Sequence, residues 1–537
     1  MKSIQPSKVP FFSFSSSLPE QQRELEGNPL LQRMSESRTR MKDDKFRPKY
    51  HYVNPEGNLN DPNGLCFWQG NWHLFYQAYP PEDTRQHWGH AISHDLIHWR
   101  DLPYAIYPVP ENCCFSGATL VEENRVIAMY HGTEVGNIVA ISDDPLLLNW
   151  KKLSNAAVIP LNTSDRSRAY NLDKFSVYDP CIWKCRDHYY SLSGGVEATG
   201  PSGQYLAADF LFKSKNLINW EFVHSFIEGD IFTRIGDDGA CPYFWPIGDQ
   251  HILLFFSHMS GGQYILGSYD IDKQKFSAEK HGLFNFGAAH PSGLHAPSAA
   301  PCDDGSVIVI FNMNKGKDCD GWDQIMTLPR KLSLKSSGSL EITPAGDIQS
   351  LRDKHIQISH QLIQHNEELK IPEIYSNSCE LDFKIHIKDC SLFAIDLLSS
   401  SDKSEYTRIC FYPYRGFNDR FRTSHLLTES NANVTKSRGN QSIVSIDSSN
   451  SSILSDVMIR PPECGPFDLD PSGILDVKIF IDCSVVEVFI GNQQCLAVRV
   501  YPGLEDSKGL SVKSYGGKAE ILNLDVWEMK SIYTSID

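Results

Sequence analysis

No stretch of this chain approaches the ~18 consecutive apolar residues of a membrane-crossing helix, so a helical membrane protein is excluded. Positive charge is also in short supply. Lys and Arg number 50 against 66 Asp and Glu, for a formal net charge of −16. That balance argues against nucleic acid or an anionic membrane as a partner. Zinc-site spacing is missing too: Cys181 and Cys185 flank Ile-Trp-Lys without a second pair or a His at the spacing of a zinc site, and no metal is expected. Cys66, Cys181, Cys241, Cys302 and Cys483 sit inside strand-like runs, where free Cys serves as a small hydrophobe rather than a disulfide partner. The apolar run at Pro10-Phe11-Phe12-Ser13-Phe14 is short and no small-residue cleavage site follows. The expectation is a soluble, cytoplasmic protein, with secretion left open.

What remains is a long, aromatic-rich chain. Its 537 residues exceed one ordinary core, so two domains are expected. Abundant Trp and Tyr suit a neutral carbohydrate ligand. Residues 1–47 lack a sustained strand pattern and are expected to form a flexible tail with a short helix near Glu20–Arg33. Residues 48–345 are dense in short strands and turn residues. Within them Ser93-His94-Asp95-Leu96-Ile97-His98-Trp99 is echoed by Ser142-Asp143-Asp144-Pro145…Asn149-Trp150 and by Ser214-Lys215-Asn216-Leu217-Ile218-Asn219-Trp220. Recurrence in a strand-rich region suggests propeller blades of four strands each. Residues 346–373 read as a linker. Period-2 alternation then returns over 374–530, as in Leu381–Ile387 and Leu475–Asp482, and argues for an antiparallel sandwich. The Ser/Asn-rich stretch 428–455 is expected to be a loop.

Three segments place a carboxylate among turn-forming residues: Asn60-Asp61-Pro62-Asn63-Gly64, Tyr178-Asp179-Pro180 and Asp237-Asp238-Gly239-Ala240-Cys241-Pro242. Asn, Pro and Gly fix a tight bend. A carboxylate on such a corner beside aromatic rings is suited to attack a sugar, and a glycosidase needs two carboxyl groups close together. Inner strands of different blades converge on one axis, so carboxylates distant in sequence can meet there. His87, His90, His94 and His98 are close in sequence, but their pattern favours structural bonds over metal ligation. His290 and His295 are candidate polar contacts, and His258, after the strand-like run Ile252–Phe256, is left unassigned.

These motifs resemble those of glycoside hydrolase family 32, the β-fructofuranosidases. Asn60–Gly64 is similar to that family's nucleophile motif, Phe115-Ser116-Gly117-Ala118 to its fructose-pocket motif, and Tyr178-Asp179-Pro180 falls where the family has Arg-Asp-Pro. Phe480–Phe489 and Arg499-Val500-Tyr501-Pro502 resemble its C-terminal motifs. The resemblance implies an all-β chain: a five-bladed β-propeller followed by a C-terminal β-sandwich. It implies a retaining hydrolase releasing fructose from β-fructofuranosides, with Asp61 as nucleophile and Asp179 stabilising the transition state. Asn60, Gln77, Trp88, Phe115, Ser116 and Tyr178 would line the pocket. The partner would be a carbohydrate, with no metal or organic cofactor.

The resemblance breaks at two positions. The family's acid/base is a Glu before Cys-Pro, and Ala240 stands there; its Arg before Asp-Pro is Tyr178. Alanine cannot transfer a proton. Asp238, two residues earlier, would face the same side of a strand and is the expected replacement, with Gly239 letting the backbone bulge inward. Asp237 is the second candidate. The departure also leaves open a non-hydrolytic fructoside-binding relative or a fructosyltransferase.

Overall fold

The computed structural model describes residues 6–161, 176–197, 206–229, 238–415 and 441–533. The short strands of the first half assemble into five sheets. Their inner strands are Asn58–Trp68, Cys114–Glu122, Ser176–Cys185, Ala240–Ile247 and Leu294–Pro301. Each inner strand packs on the next, and the fifth packs on the first, which closes a propeller ring.

The sequence echo marks one recurring turn. It joins the third strand of a sheet to the fourth, for example His87–Ser93 to Arg100–Ile106. In each copy an acid or amide takes backbone N–H groups: Asp95 from Ile97 and His98, Asp144 from Leu148 and Asn149, Asn216 from Ile218 and Asn219. Leu96, Leu147 and Leu217 all adopt positive φ, at 69°, 52° and 66°. The Trp that ends the motif caps the turn, as Trp150 and Trp220 donate their indole N–H to Leu147 and Leu217.

A second repeated irregularity positions the site. Each inner strand carries a bulge near its start, where two residues oppose one on the neighbouring strand. The paired residues are Asn60-Asp61 opposite Gln77, Phe115-Ser116 opposite His131, Tyr178-Asp179 opposite Gly194, Cys241-Pro242 opposite Phe255, and His295-Ala296 opposite Asn312. One layer below, the buried Tyr243 hydroxyl ties the strands together. It accepts from the Gly64 N–H at 3.1 Å, donates to the Gly117 carbonyl at 2.9 Å and meets Ser298 Oγ at 2.8 Å. Gly64 is required there: its φ is +49° and a Cβ would stand 2.6 Å from Thr119 Cγ2.

The second half forms two facing sheets. One is centred on Ser378–His386, Ile474–Asp482 and Val485–Ile490, the other on Leu392–Ser399 and Gly509–Tyr515. Alternate residues such as Phe383, Ile395, Val477, Val488 and Val512 fill the space between them. The expected linker is not one: Arg352–Ile358, Gln361–Ile363 and Glu368–Tyr375 are outer strands of these sheets. Their outward faces are polar, which hid the strand period. Of the stretch 428–455, Gln441–Asp447 is also a strand, and 428–440 lie outside the described residues.

The propeller is clasped to the sandwich by buried charge. Asp482 accepts the N–H groups of Lys49, Tyr50 and His51. The His51 ring then bridges Asp482 at 2.9 Å and Glu487 at 3.1 Å, while Arg330 closes on Glu487 at 2.8 Å. All four side chains are buried.

The expected flexible tail is also corrected. Helices Leu18–Glu26 and Pro29–Arg40 are separated at Asn28, whose side chain caps the second, and the pair lies against the first two sheets. Leu25, Leu30 and Met34 are buried, Gln21 bonds Asp144, and Arg38 makes a paired contact with Asp101. The apolar residues are few but share one face, so a polar composition concealed a docked segment. Among the described residues, no helix is long and apolar enough to cross a membrane.

Candidate active site

The bulges bring Asp61, Ser116, Asp179, Cys241 and His295 together at one end of the ring. Asp61 is only 7% exposed. Its Oδ2 accepts from Ser116 Oγ at 2.6 Å and Gln77 Nε2 at 3.1 Å, and its Oδ1 faces His295 Nδ1 at 3.1 Å. Burial pushes this carboxyl upward, but the bonds from His295 and Ser116, with the thiol of Cys241, outweigh it and hold Asp61 below the usual carboxylate range. It is an ionised group aimed by two donors, Ser116 and Gln77, on one oxygen and faced by the His295 ring on the other.

Asp179 has the opposite character. It accepts one backbone bond, from Cys241 N–H at 3.2 Å. Burial, followed by the charge of Asp61, pushes its carboxyl up to about 7. Two neighbouring carboxyl groups of unequal affinity share the proton between them unequally. The Cys241 thiol stands between, 3.6 Å from an oxygen of each, and stays protonated because burial and the two acids oppose its ionisation. Cys241 holds φ at 53°, an uncommon conformation for a non-glycine residue, and its N–H faces Asp179 while its thiol faces both acids. Neither this role nor that of Tyr243 is visible in the sequence, where Cys241 reads as a small hydrophobe of a strand-like run.

Asn60 donates to Gln77 at 3.4 Å and accepts from Asn312 at 3.2 Å. Asn312 also accepts the N–H of Ala296, so it fixes the first and fifth strands together. Phe115, His131 and Tyr178 form a row of rings with centroids 6.3 and 6.0 Å apart. Trp88 is a correction. It is 0% exposed, donates its indole N–H to the Phe115 carbonyl at 2.9 Å and lies behind the wall rather than on it.

The third acidic segment is only partly described. Asp237 lies outside the described residues. Gly239 has φ +58°, so the expected backbone bend is present. Ala240 is buried among Cys241, Phe256 and Ala296. Asp238 is partly buried and engages His258: Oδ2 faces Nδ1 at 2.5 Å, and Oδ1 accepts the His258 N–H at 3.2 Å. The histidines suspected as a cluster go separate ways. His90 bonds His73, His87 meets Ser7, and His98 pairs with Asp95.

Residues 51–344 match the glycosyl hydrolases family 32 N-terminal domain, and residues 347–528 match the family's C-terminal domain. The chain belongs to glycosyl hydrolase family 32. Among curated relatives of this family-32 chain, a fructan 6-exohydrolase of Beta vulgaris is 26% identical over 543 residues, covering 91% of this chain and 87% of that one. A sucrose-6-phosphate hydrolase of Escherichia coli is 26% identical, covering 90% and 95%. The fold is shared with fructan 1-exohydrolase IIa from Cichorium intybus, at a TM-score of 0.75 and 20% identity over 91% of this chain and 98% of that chain.

Proposed function

We propose that this family-32 glycosidase releases fructose from β-D-fructofuranosides such as sucrose or fructo-oligosaccharides by a retaining double displacement. The observation that carries the reading is the contrast between the two central acids. Against burial, Asp61 is held ionised by His295 and Ser116 with the thiol of Cys241, while burial and the charge of Asp61 push Asp179 up to about 7. An ionised, buried carboxylate is the nucleophile that a covalent fructosyl-enzyme requires. A neutral Asp179 can donate to a sugar hydroxyl, and its proton loss would be resisted while Asp61 keeps its charge. Asn60, Gln77, Phe115, Ser116 and Tyr178 contribute the surrounding polar and ring surface.

Ala240 favours a second reading, a fructoside-binding relative that does not hydrolyse, because no carboxyl occupies the position the family uses for proton transfer. Incubation with sucrose and separation of glucose, fructose and longer products distinguishes the two. Equal release of glucose and fructose, abolished by Asp61→Asn, supports the hydrolase. Binding without glucose release supports the second reading, and glucose in excess over fructose with longer products indicates transfer.

A further inference from the structure

Ala240 carries no group that can transfer a proton, but two ionisable residues stand beside it on the hairpin. Ala240 pairs with Phe256 at the start of the fourth inner strand. Two residues further on each side, Asp238 and His258 come opposite one another. Both oxygens of Asp238 are used on His258, one on the backbone N–H and one on Nδ1. That leaves the carboxylate poorly placed to pass a proton to a sugar. It also leaves Nε2 as the available end of the imidazole, without a protein partner among the described residues. The His258 side chain is 67% exposed. Its ring packs edge-on against Phe256 at 5.3 Å and stands 6.2 Å from the ring of His295, the residue that touches Asp61.

We propose that His258, held by Asp238, is the general acid/base of this chain. The assignment rests on the reaction proposed at Asp61. As Asp61 bonds to the anomeric carbon, the bond from that carbon to the leaving oxygen breaks and the Nε2 proton of His258 passes to that oxygen. The neutral imidazole then takes a proton from water as the water oxygen attacks the same carbon and Asp61 departs. An imidazole serves this alternation near neutral pH, and a carboxylate on Nδ1 fixes which nitrogen carries the reacting proton. The groups facing His258 are Asp238, His290, His295 and, across the site, Asp61 and Asp179. The bond to Asp238 raises the ring above its usual range against burial, and the charges of the three acids add to it. Asp238 is then a positioning residue, which replaces the direct role expected from the sequence.

The test compares sucrose with an aryl β-fructofuranoside whose leaving group needs no protonation. His258→Ala and His258→Gln should lower kcat/KM for sucrose on the order of 10²–10⁴-fold, and lower that for the aryl substrate far less. Azide, which attacks without a base, should accelerate turnover of the aryl substrate by the variants and yield fructosyl azide. Asp238→Asn should move the alkaline limb of the kcat/KM profile to lower pH, which a purely structural role would not do. Equal losses on both substrates, or none, with no azide product, overturn the assignment. A wild-type chain that cleaves neither substrate overturns the reaction at Asp61 and this assignment with it.

Discussion

The imidazole Nδ1 of His295 stands 3.1 Å from Oδ1 of Asp61, so the fifth inner strand reaches across the ring to the carboxylate of the first. His295→Phe removes that polar neighbour while keeping a ring beside Phe256. Burial of Asp61 is then less opposed, and its carboxyl rises. The acid limb of kcat/KM is expected to move to higher pH, measured from a pH–rate profile.

Asp61→Asn keeps size and hydrogen bonding but removes the nucleophile. Turnover should fall on the order of 10⁴-fold or more, with the melting temperature little changed. In the same variant the negative charge beside Asp179 disappears, so Asp179 should titrate below about 7. Carbon-detected NMR of labelled Asp side chains reads that shift directly.

The clasp at His51 gives a stability prediction. Burial opposes the charged ring, but Asp482 and Glu487 prevail and raise it to about 9. A folded value above the ordinary ~6.5 means that its contribution is complete below pH ~6.5 and is lost as pH rises towards about 9. His51→Phe strands two buried carboxylates and should cost about 3–5 kcal/mol. The difference in melting temperature between wild type and variant should narrow as pH rises over that window.

Arg38 anchors the N-terminal helices by bonding both oxygens of Asp101 at 2.6 and 2.7 Å and stacking 4.3 Å over the ring of Tyr533. Arg38→Ala should destabilise the protein by about 3 kcal/mol, as expected for breaking a largely buried pair. Protease cleavage between the helices and the first sheet should increase, checked by limited proteolysis.

Much of this was legible in the sequence because turn chemistry is local. The Ser-to-Trp echoes depend on a few adjacent residues and form turns as expected, whereas Asn60–Gly64, expected as a tight bend, is a bulged stretch inside the strand Asn58–Trp68, because the neighbouring strand pairs on both sides of it. The sandwich interior was legible because its strands bury alternate residues. Arg352–Ile358 and the helices around Leu30 and Met34 were not, because their buried residues are sparse and their value depends on a distant surface. Trp88 lies at a pocket motif but is fully buried, with its indole bonded to the Phe115 carbonyl, a packing that no strand pattern shows. The Asp238–His258 contact joins residues twenty apart through a hairpin whose φ values at Gly239 and Cys241 break simple alternation.

The five kinks at one height give the molecule separable parts. Each strand hands a different side chain to the centre, and the Tyr243 hydroxyl fastens the frame beneath without taking part. A proton-transfer group could therefore be exchanged on the fourth spoke while the attacking group on the first kept its aim. On the assignment proposed for His258, the alanine before Cys241 needs no carboxyl of its own, and the holder for the other groups stays in place.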